Sequence, residues 1–505
     1  MLQNLLFESM IIFELRVLEI FSDILLWEIS EVLTKIKPIL SYFHINKMNL
    51  FDYIFNSDEL QSWINDPEHI LKLHSARSNK DLSILLIQFT NCRLFYDNKI
   101  IKEDLWMRNG IVEDPRKIFF EEKKQAHVQI DLNGLLISPG FIDVQINGGF
   151  GRDFTIDANI DECLTEVSKG LLEYGVTAFC PTVISSHLSN YRNLLPKIRD
   201  FFANLKTSKK LNSIILGLHL EGPFINKEKL GAHDITALRT LDDGVNTLEE
   251  TFGMEVEELK NFVSIITLAP ELDPSNRVIK KLTDSGIVVS LGHSTANLKQ
   301  GENAVINGAT FITHLFNAML PFHHRDPHLI GLLSNFSLES HIYYGVISDG
   351  IHTHPSAINI AYKSHPNGLV LVTDAMSAMG LEDGRVHHIG SQAVQIMKDP
   401  ETKKRSAYLQ GTRTLCGSVA TMDDCVRNLM SATDCSLLEA LRCATEHPAK
   451  LLGIYPLDGG SLNYGAKANF TIIDDNVNVK ATFINGDLAW SSLDWSPQFK
   501  FKFIP

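Results

Sequence analysis

Between about Ile137 and Ile454 the chain repeats one pattern: a short apolar run, a polar residue where the run stops, then a helical stretch. Runs such as Ile214–Leu218, Ile287–Leu291 and Leu369–Val372 are continuous rather than alternating, as strands buried on both faces must be. Strand and helix in steady succession predict parallel βαβ units. Candidate strands end near Gln145, Thr182, Glu221, Glu271, His293, His314, Asp349 and Asp374, which makes eight. Eight such units within roughly 250–400 residues predict a closed (β/α)8 TIM-like barrel, expected over residues 137–455, with its functional groups at the C-terminal ends of the strands.

The flanks have a different texture. Ile84–Leu94 and Lys99–Met107 alternate in character, with Asp97-Asn98 and Asn109-Gly110 as turn signals. Phe470–Ile473 and Ala481–Ile484, followed by Asn485-Gly486, repeat that texture near the other end. One small β-sandwich domain built from both flanks, residues 81–136 and 456–505, is the expectation. Residues 1–80 read as an N-terminal helical extension: Leu18, Phe21, Leu25 and Val32 fall at amphipathic spacing. Glu8, Glu14, Arg16, Glu19, Asp23, Glu28 and Glu31 interrupt any run near the roughly 20 apolar residues a membrane span needs. Its acidic start is unlike a secretion signal. The extension reads either as lineage-specific packing or as sequence ahead of a start at Met48.

With 505 residues, 44% of them hydrophobic and 21% charged, the chain has ordinary globular composition for one large domain and a smaller one. A net charge of −14 argues against a nucleic-acid or anionic-membrane partner, since both require a dense Lys/Arg footprint. A local site can still hold a small anion. Cys92, Cys163, Cys180, Cys416, Cys425, Cys435 and Cys443 form no C-x-x-C pair, so neither a zinc knuckle nor a disulfide framework is expected. A reducing, cytoplasmic location fits best.

Four chemically active residues stand where predicted strands stop: Glu221, His293, His314 and Asp374. A lone histidine at a strand end is more often structural than functional. Four such residues on four different strands make a site. Two imidazoles and a carboxylate, with one position left for water, are the ligand set of a hydrolytic zinc centre. Asp374 then has the chemistry of a general base beside that water.

Longer motifs sharpen this reading. Pro139–Gly149 (PGFIDVQINGG), His219–Phe224 (HLEGPF), Gly292–Ser294, Thr313–Met319 (THLFNAM), Asp349–His352 and Val372–Ala375 occur in order between about Leu86 and Trp490. Together they resemble the N-acetylglucosamine-6-phosphate deacetylases, a branch of the amidohydrolases. The resemblance implies metal-dependent hydrolysis of the acetamide of N-acetyl-D-glucosamine 6-phosphate to D-glucosamine 6-phosphate and acetate. It implies one divalent ion per chain, zinc by preference, held by Glu221, His293 and His314. Water activated to hydroxide attacks the carbonyl, with Asp374 as base and then acid and with His233 near the amide as an oxyanion donor. Substrate contacts are implied for His233, Asn317, Ala318, His352, Gln145, Cys416 and Gly417. Arg325 is expected to reach the phosphate in a neighbouring subunit, hence a homodimer. His354 and the pair His323-His324 read as exposed or structural.

Many amidohydrolases of this barrel carry His-x-His after the first strand and a bridging lysine after the fourth. Here those positions read Gln145-x-Asn147 and Ala269-Pro270-Glu271, which points to a single-metal site. Departures from the family pattern are His328 at a usual glycine, Cys416 at the first serine of Leu-Ser-Gly-Ser, and Asn469 in the sandwich. The competing expectations are deacylation of another N-acyl amino sugar and a catalytically silent scaffold.

Overall fold

The computed structural model describes residues 86–205, 211–334, 341–384, 386–389, 392–398, 405–411, 417–495 and 497–501. The expected N-terminal extension and Cys416 lie outside the described residues.

Eight parallel strands lie side by side in chain order: Phe141–Ile146, Val176–Ile184, Leu218–Glu221, Val263–Leu268, Val288–Leu291, Phe311–Ile312, Tyr343–Ile347 and Leu369–Val372. A two-residue piece, Ile214–Ile215, also pairs with the second strand just ahead of the third. Beyond the eighth strand the Asp374 N–H donates to the Gln145 carbonyl and the Asn147 N–H to the Ala375 carbonyl, each at 2.8 Å. The sheet is thereby nearly closed into the expected barrel. Most of the strands end within a residue or two of the expected polar residues. The fourth differs most: it stops at Leu268, and Glu271 lies in the single turn Pro270–Leu272.

The intervening helices begin where the sequence supplies caps. Asn297 with Gln300 and Ser436 with Glu439 form reciprocal capping boxes that satisfy first-turn N–H groups. The helix Ile160–Gly170 buries Ile160, Cys163, Leu164 and Val167, the i, i+3, i+4, i+7 stripe that packs a helix on a sheet.

Two further sheets draw strands from both flanks. One orders Gln498–Phe501, Val128–Asp131, Leu86–Thr90, Leu105–Arg108 and Ile111–Val112. The other orders Asp487–Ser491, Val479–Ile484, Phe470–Ile473, Leu136–Pro139, Arg93–Tyr96 and Lys99–Ile101. Phe89 of the first sheet meets Phe470 and Phe483 of the second edge-on, at 5.4 and 5.5 Å between ring centres. A three-stranded antiparallel sheet, Val386–Ile389, Gln392–Lys398 and Arg405–Leu409, follows the eighth barrel strand and was not anticipated from the sequence. Among the described residues no helix is long and apolar enough to cross a membrane.

Candidate active site

The C-terminal mouth of the barrel is built on unusual backbone. His293, His314, Phe316, Ala318 and Asp374 all adopt positive φ, at +48°, +25°, +77°, +50° and +45°. Residues with a Cβ avoid this region at a cost of about 1–2 kcal/mol each, and they persist there only where surrounding structure enforces it.

That backbone brings three predicted residues together. His293 Nε2 lies 2.9 Å from Glu221 Oε1, His314 Nε2 lies 3.1 Å from the same oxygen, and the two imidazole nitrogens are 3.1 Å apart. All three side chains are buried. His233 stands slightly apart, its Nε2 4.0 Å from Glu221 Oε1, and with Glu221 and His293 it also forms a group able to hold a metal ion.

Hydrogen-bond polarity separates the roles of the two outer histidines. His293 Nδ1 faces the Lys229 carbonyl at 2.8 Å, so Nδ1 carries the proton. In the neutral ring, Nε2 then aims a lone pair at a carboxylate oxygen that can only accept. That arrangement suits a cation shared between the two atoms. His233 is the reverse case: its Nδ1 accepts the Ser185 N–H at 3.2 Å, which leaves the proton on Nε2. His233 therefore presents a donor to the site. Burial, then the neighbouring His293, lower it to about 3, so that it stays neutral.

The donor set fits a small divalent ion. Nitrogen and oxygen ligands on one tetrahedral zinc lie about 3.3 Å from each other, close to the spacings of Glu221, His293 and His314. Electrostatics agree. Burial opposes ionisation of Glu221, but its hydrogen bonds to His293 and His314 outweigh it and hold the carboxyl well below the usual range. Burial likewise opposes charge on His314, yet the hydrogen bond and charge of Glu221 raise that imidazole to about 9. The pocket holds one negative carboxylate that stabilises positive charge beside it.

Asp374 lies beside this group, joined to Glu221 through the Gln145 amide. Its Oδ1 accepts from Asn147 Nδ2 at 2.7 Å and Gln145 Nε2 at 3.3 Å, and Gln145 Nε2 also reaches Glu221 Oε2 at 3.1 Å. Burial, then the charge of Glu221, raise Asp374 to about 6. Sequence reasoning read Gln145 and Asn147 as standing where other amidohydrolases carry ligands, and Gln145 also as a substrate contact; here the Gln145 amide joins Asp374 to Glu221 and the Asn147 amide holds Asp374. Their carbonyl oxygens, Gln145 Oε1 and Asn147 Oδ1, have no hydrogen-bond partner among the described residues.

The remaining predicted residues are more spread out. His352 Nδ1 is 2.6 Å from Asp349 Oδ2, and the same carboxylate takes the Ile351 and His352 N–H groups. Asp349, named in the sequence as a strand end and the start of a motif but given no role, orients that ring. Asn317 Nδ2 donates to Thr353 Oγ1 at 3.3 Å, and the Ala318 carbonyl accepts the Ser294 N–H at 3.1 Å. Gly417, at φ +129°, adjoins Ser418, which bridges to Ala375 beside Asp374. Arg325 is exposed on the hairpin His323–Asp326 and has no hydrogen bond or ion pair to the cluster among the described residues.

Known proteins place this geometry. The sequence pattern of the Amidohydrolase family matches residues 136–489. The N-acetylglucosamine-6-phosphate deacetylase of Bos taurus is 49% identical over 409 residues, 80% of this chain and 96% of that protein. The chain belongs to the N-acetylglucosamine-6-phosphate deacetylase family. Among solved structures, the deacetylase of Pasteurella multocida superposes with a TM-score of 0.68 at 29% identity, covering 81% of this chain and 100% of that one. A mutant of the Mycobacterium smegmatis deacetylase, solved in complex with N-acetyl-D-glucosamine-6-phosphate, gives 0.65 at 25% identity over 81% of this chain and 99% of that one.

Set against the family's motifs, two of the three departures have local explanations. His328 has φ +53°, the conformation a glycine adopts without strain, and its Nδ1 lies 3.0 Å from the Pro321 carbonyl. Asn469 Oδ1 accepts the Asn485 N–H at 2.7 Å inside the sandwich. His354 caps the helix Pro355–Ser364 by accepting the Ser356 N–H, a structural role as expected.

Proposed function

We propose that this member of the family hydrolyses the acetamide of N-acetyl-D-glucosamine 6-phosphate, releasing acetate and D-glucosamine 6-phosphate, with one divalent ion, zinc by preference, held by Glu221, His293 and His314. The observation that carries the reading is the convergence of those three donor atoms within 2.9–3.1 Å, beside a carboxyl raised to about 6. When bound, such an ion supplies Lewis acidity, polarising an acyl carbonyl and acidifying water near neutral pH.

The chain's own groups supply the rest. Asn147 and Gln145 pin Asp374 Oδ1, so Oδ2 is the oxygen that takes a proton from the attacking water and returns it to the departing amine. An amine leaves poorly without that proton. His233, held neutral, offers Nε2–H to the oxygen on which negative charge develops. Gln145 Oε1 and Asn147 Oδ1 offer acceptors to sugar hydroxyls or the amide N–H. His352, oriented by Asp349, completes the sugar side. Asn317 and Ala318 receive the phosphate together with Arg325 of a second copy, whose guanidinium suits a phosphate fork. A homodimer in the cytoplasm is part of this reading, as is a sugar contact at Gly417.

The test is acetate release from the phosphorylated sugar beside the unphosphorylated one, repeated with Arg325→Ala. Selectivity for the phosphate ester that collapses by about tenfold or more in the variant supports the reading, since one such contact is worth about 1.4 kcal/mol or more. Equal turnover of both sugars, or an Arg325→Ala variant with unchanged kcat/KM, assigns the site to another N-acyl compound.

A further inference from the structure

Just beyond the fourth barrel strand lies a carboxylate that the chemistry above does not use. Glu271 is half-buried and accepts four hydrogen bonds. Its Oε1 takes the Thr295 N–H at 2.6 Å, Asn226 Nδ2 at 2.9 Å and Thr295 Oγ1 at 3.1 Å; its Oε2 takes Ser294 Oγ at 2.6 Å. Bonds to an ionised acceptor are roughly twice as strong as neutral ones. Three of these four come from the two residues that follow His293.

Asn226 closes the grip from the other side. Its N–H donates to the His293 carbonyl at 2.8 Å, while its Nδ2 also reaches Thr295 Oγ1 at 2.7 Å. His293 thus sits at φ +48° with the two residues that follow it, and the Asn226 that holds its carbonyl, fastened to one carboxylate. The same turn extends towards the loop assigned to phosphate: the Ser294 N–H bonds to the Ala318 carbonyl, and Ser294 pairs with Met319 as a parallel bridge.

We propose that Glu271 is a positioning residue, whose carboxylate clamps the turn His293–Thr295 and so sets both the His293 ring for the ion and the Ala318 backbone for the phosphate. The proposal rests on the site reading given above. Outer partners of this kind typically change metal affinity by about 10–100-fold when removed.

The experiment strips metal from the purified full chain and measures Zn2+ affinity by competition with a chromophoric chelator. KM for the phosphorylated and unphosphorylated sugars at saturating Zn2+ is read alongside. Glu271→Ala is expected to weaken Zn2+ by about 10–100-fold and to raise KM for the phosphate ester more than for the plain sugar. Glu271→Gln keeps an oxygen for the Thr295 N–H and can turn its NH2 to Ser294 Oγ, so it should restore most of the affinity. If Glu271→Ala does not fold, Asn226→Ala, which loosens the opposite side of the grip, should weaken Zn2+ in the same direction. Unchanged Zn2+ affinity in the folded variants, or a Gln variant as weak as the Ala variant, overturns the clamp. The Zn2+ arm needs no substrate. A parent chain that releases no acetate while Glu271→Ala still loosens Zn2+ upholds the clamp and removes only the substrate reading.

Discussion

The sandwich and the barrel mouth both depend on left-handed backbone, but they fill it with different residues. In the sandwich most of these positions are Asn or Asp, namely Asn91, Asp97, Asn98, Asn109, Asn133 and Asn485, several of them in the tight turns between neighbouring strands, with Lys123 and Val477 the exceptions. Short polar side chains tolerate positive φ, so these turns are close to relaxed. In the mouth the same conformation is imposed on His293, His314, Phe316, Ala318 and Asp374, none of them favoured there except the aspartate and, less so, the histidines. Most turn residues in the first region are chosen by backbone ease. In the second they are chosen by what the side chain does once the strand has stopped, and the fold absorbs the strain.

The comparison predicts that damage will separate cleanly into activity and stability. Asp374→Asn should lower kcat by about 10^3-fold or more, roughly 4 kcal/mol, with ion content and thermal stability nearly unchanged. If it instead melts the protein and spares kcat, the mouth is structural in the way the sandwich is. Phe89→Ala, which empties the contact between the two sandwich sheets, should destabilise by about 3–5 kcal/mol in denaturant titration while kcat per folded molecule stays the same. A large kcat defect there would join the two regions.

Smaller effects sharpen the same line. Asp374 must be ionised to accept a proton, so activity rises with pH through its pKa. Burial and Glu221 place that carboxyl at about 6, and a cation beside it pulls it down. The acid limb of kcat/KM should therefore fall at or below about pH 6, with a loss of about tenfold per unit beneath it. A limb well above 6 would assign the base to another group. Smallest of all, Asn485→Gly should change stability by no more than about 0.5 kcal/mol, whereas Asn485→Val should cost about 1–2 kcal/mol, read by melting temperature.

The barrel was legible in the sequence because strands buried on both faces leave continuous apolar runs, and each of the eight ends near a polar residue that the pattern isolates. Glu221, His293, His314 and Asp374 could be named for that reason. What could not be read is hydrogen-bond polarity. That His233 donates while His293 accepts depends on Ser185 and Lys229, residues brought up by other loops. Asn147 was visible as a missing histidine, yet its positive role needed Asp374, distant in the chain, to arrive from the last barrel strand. Glu271 was visible only as a strand end where a bridging lysine is missing, and Asp349 only as a strand end and the start of a motif, because what each holds depends on partners that the fold brings close. The three-stranded insertion left no signal strong enough to separate it from the helices around it.

The central claim is that Glu221, His293 and His314 hold one divalent ion on which turnover depends. The direct measurement is metal content per chain, with acetate release from N-acetylglucosamine 6-phosphate followed as the ion is stripped and restored, in the parent and in Glu221→Gln. About one ion per chain, activity that returns in proportion to it, and loss of both in the variant are the predicted result. Full acetate release from metal-free protein, or a Glu221→Gln variant that binds the ion as tightly as the parent, would contradict the account.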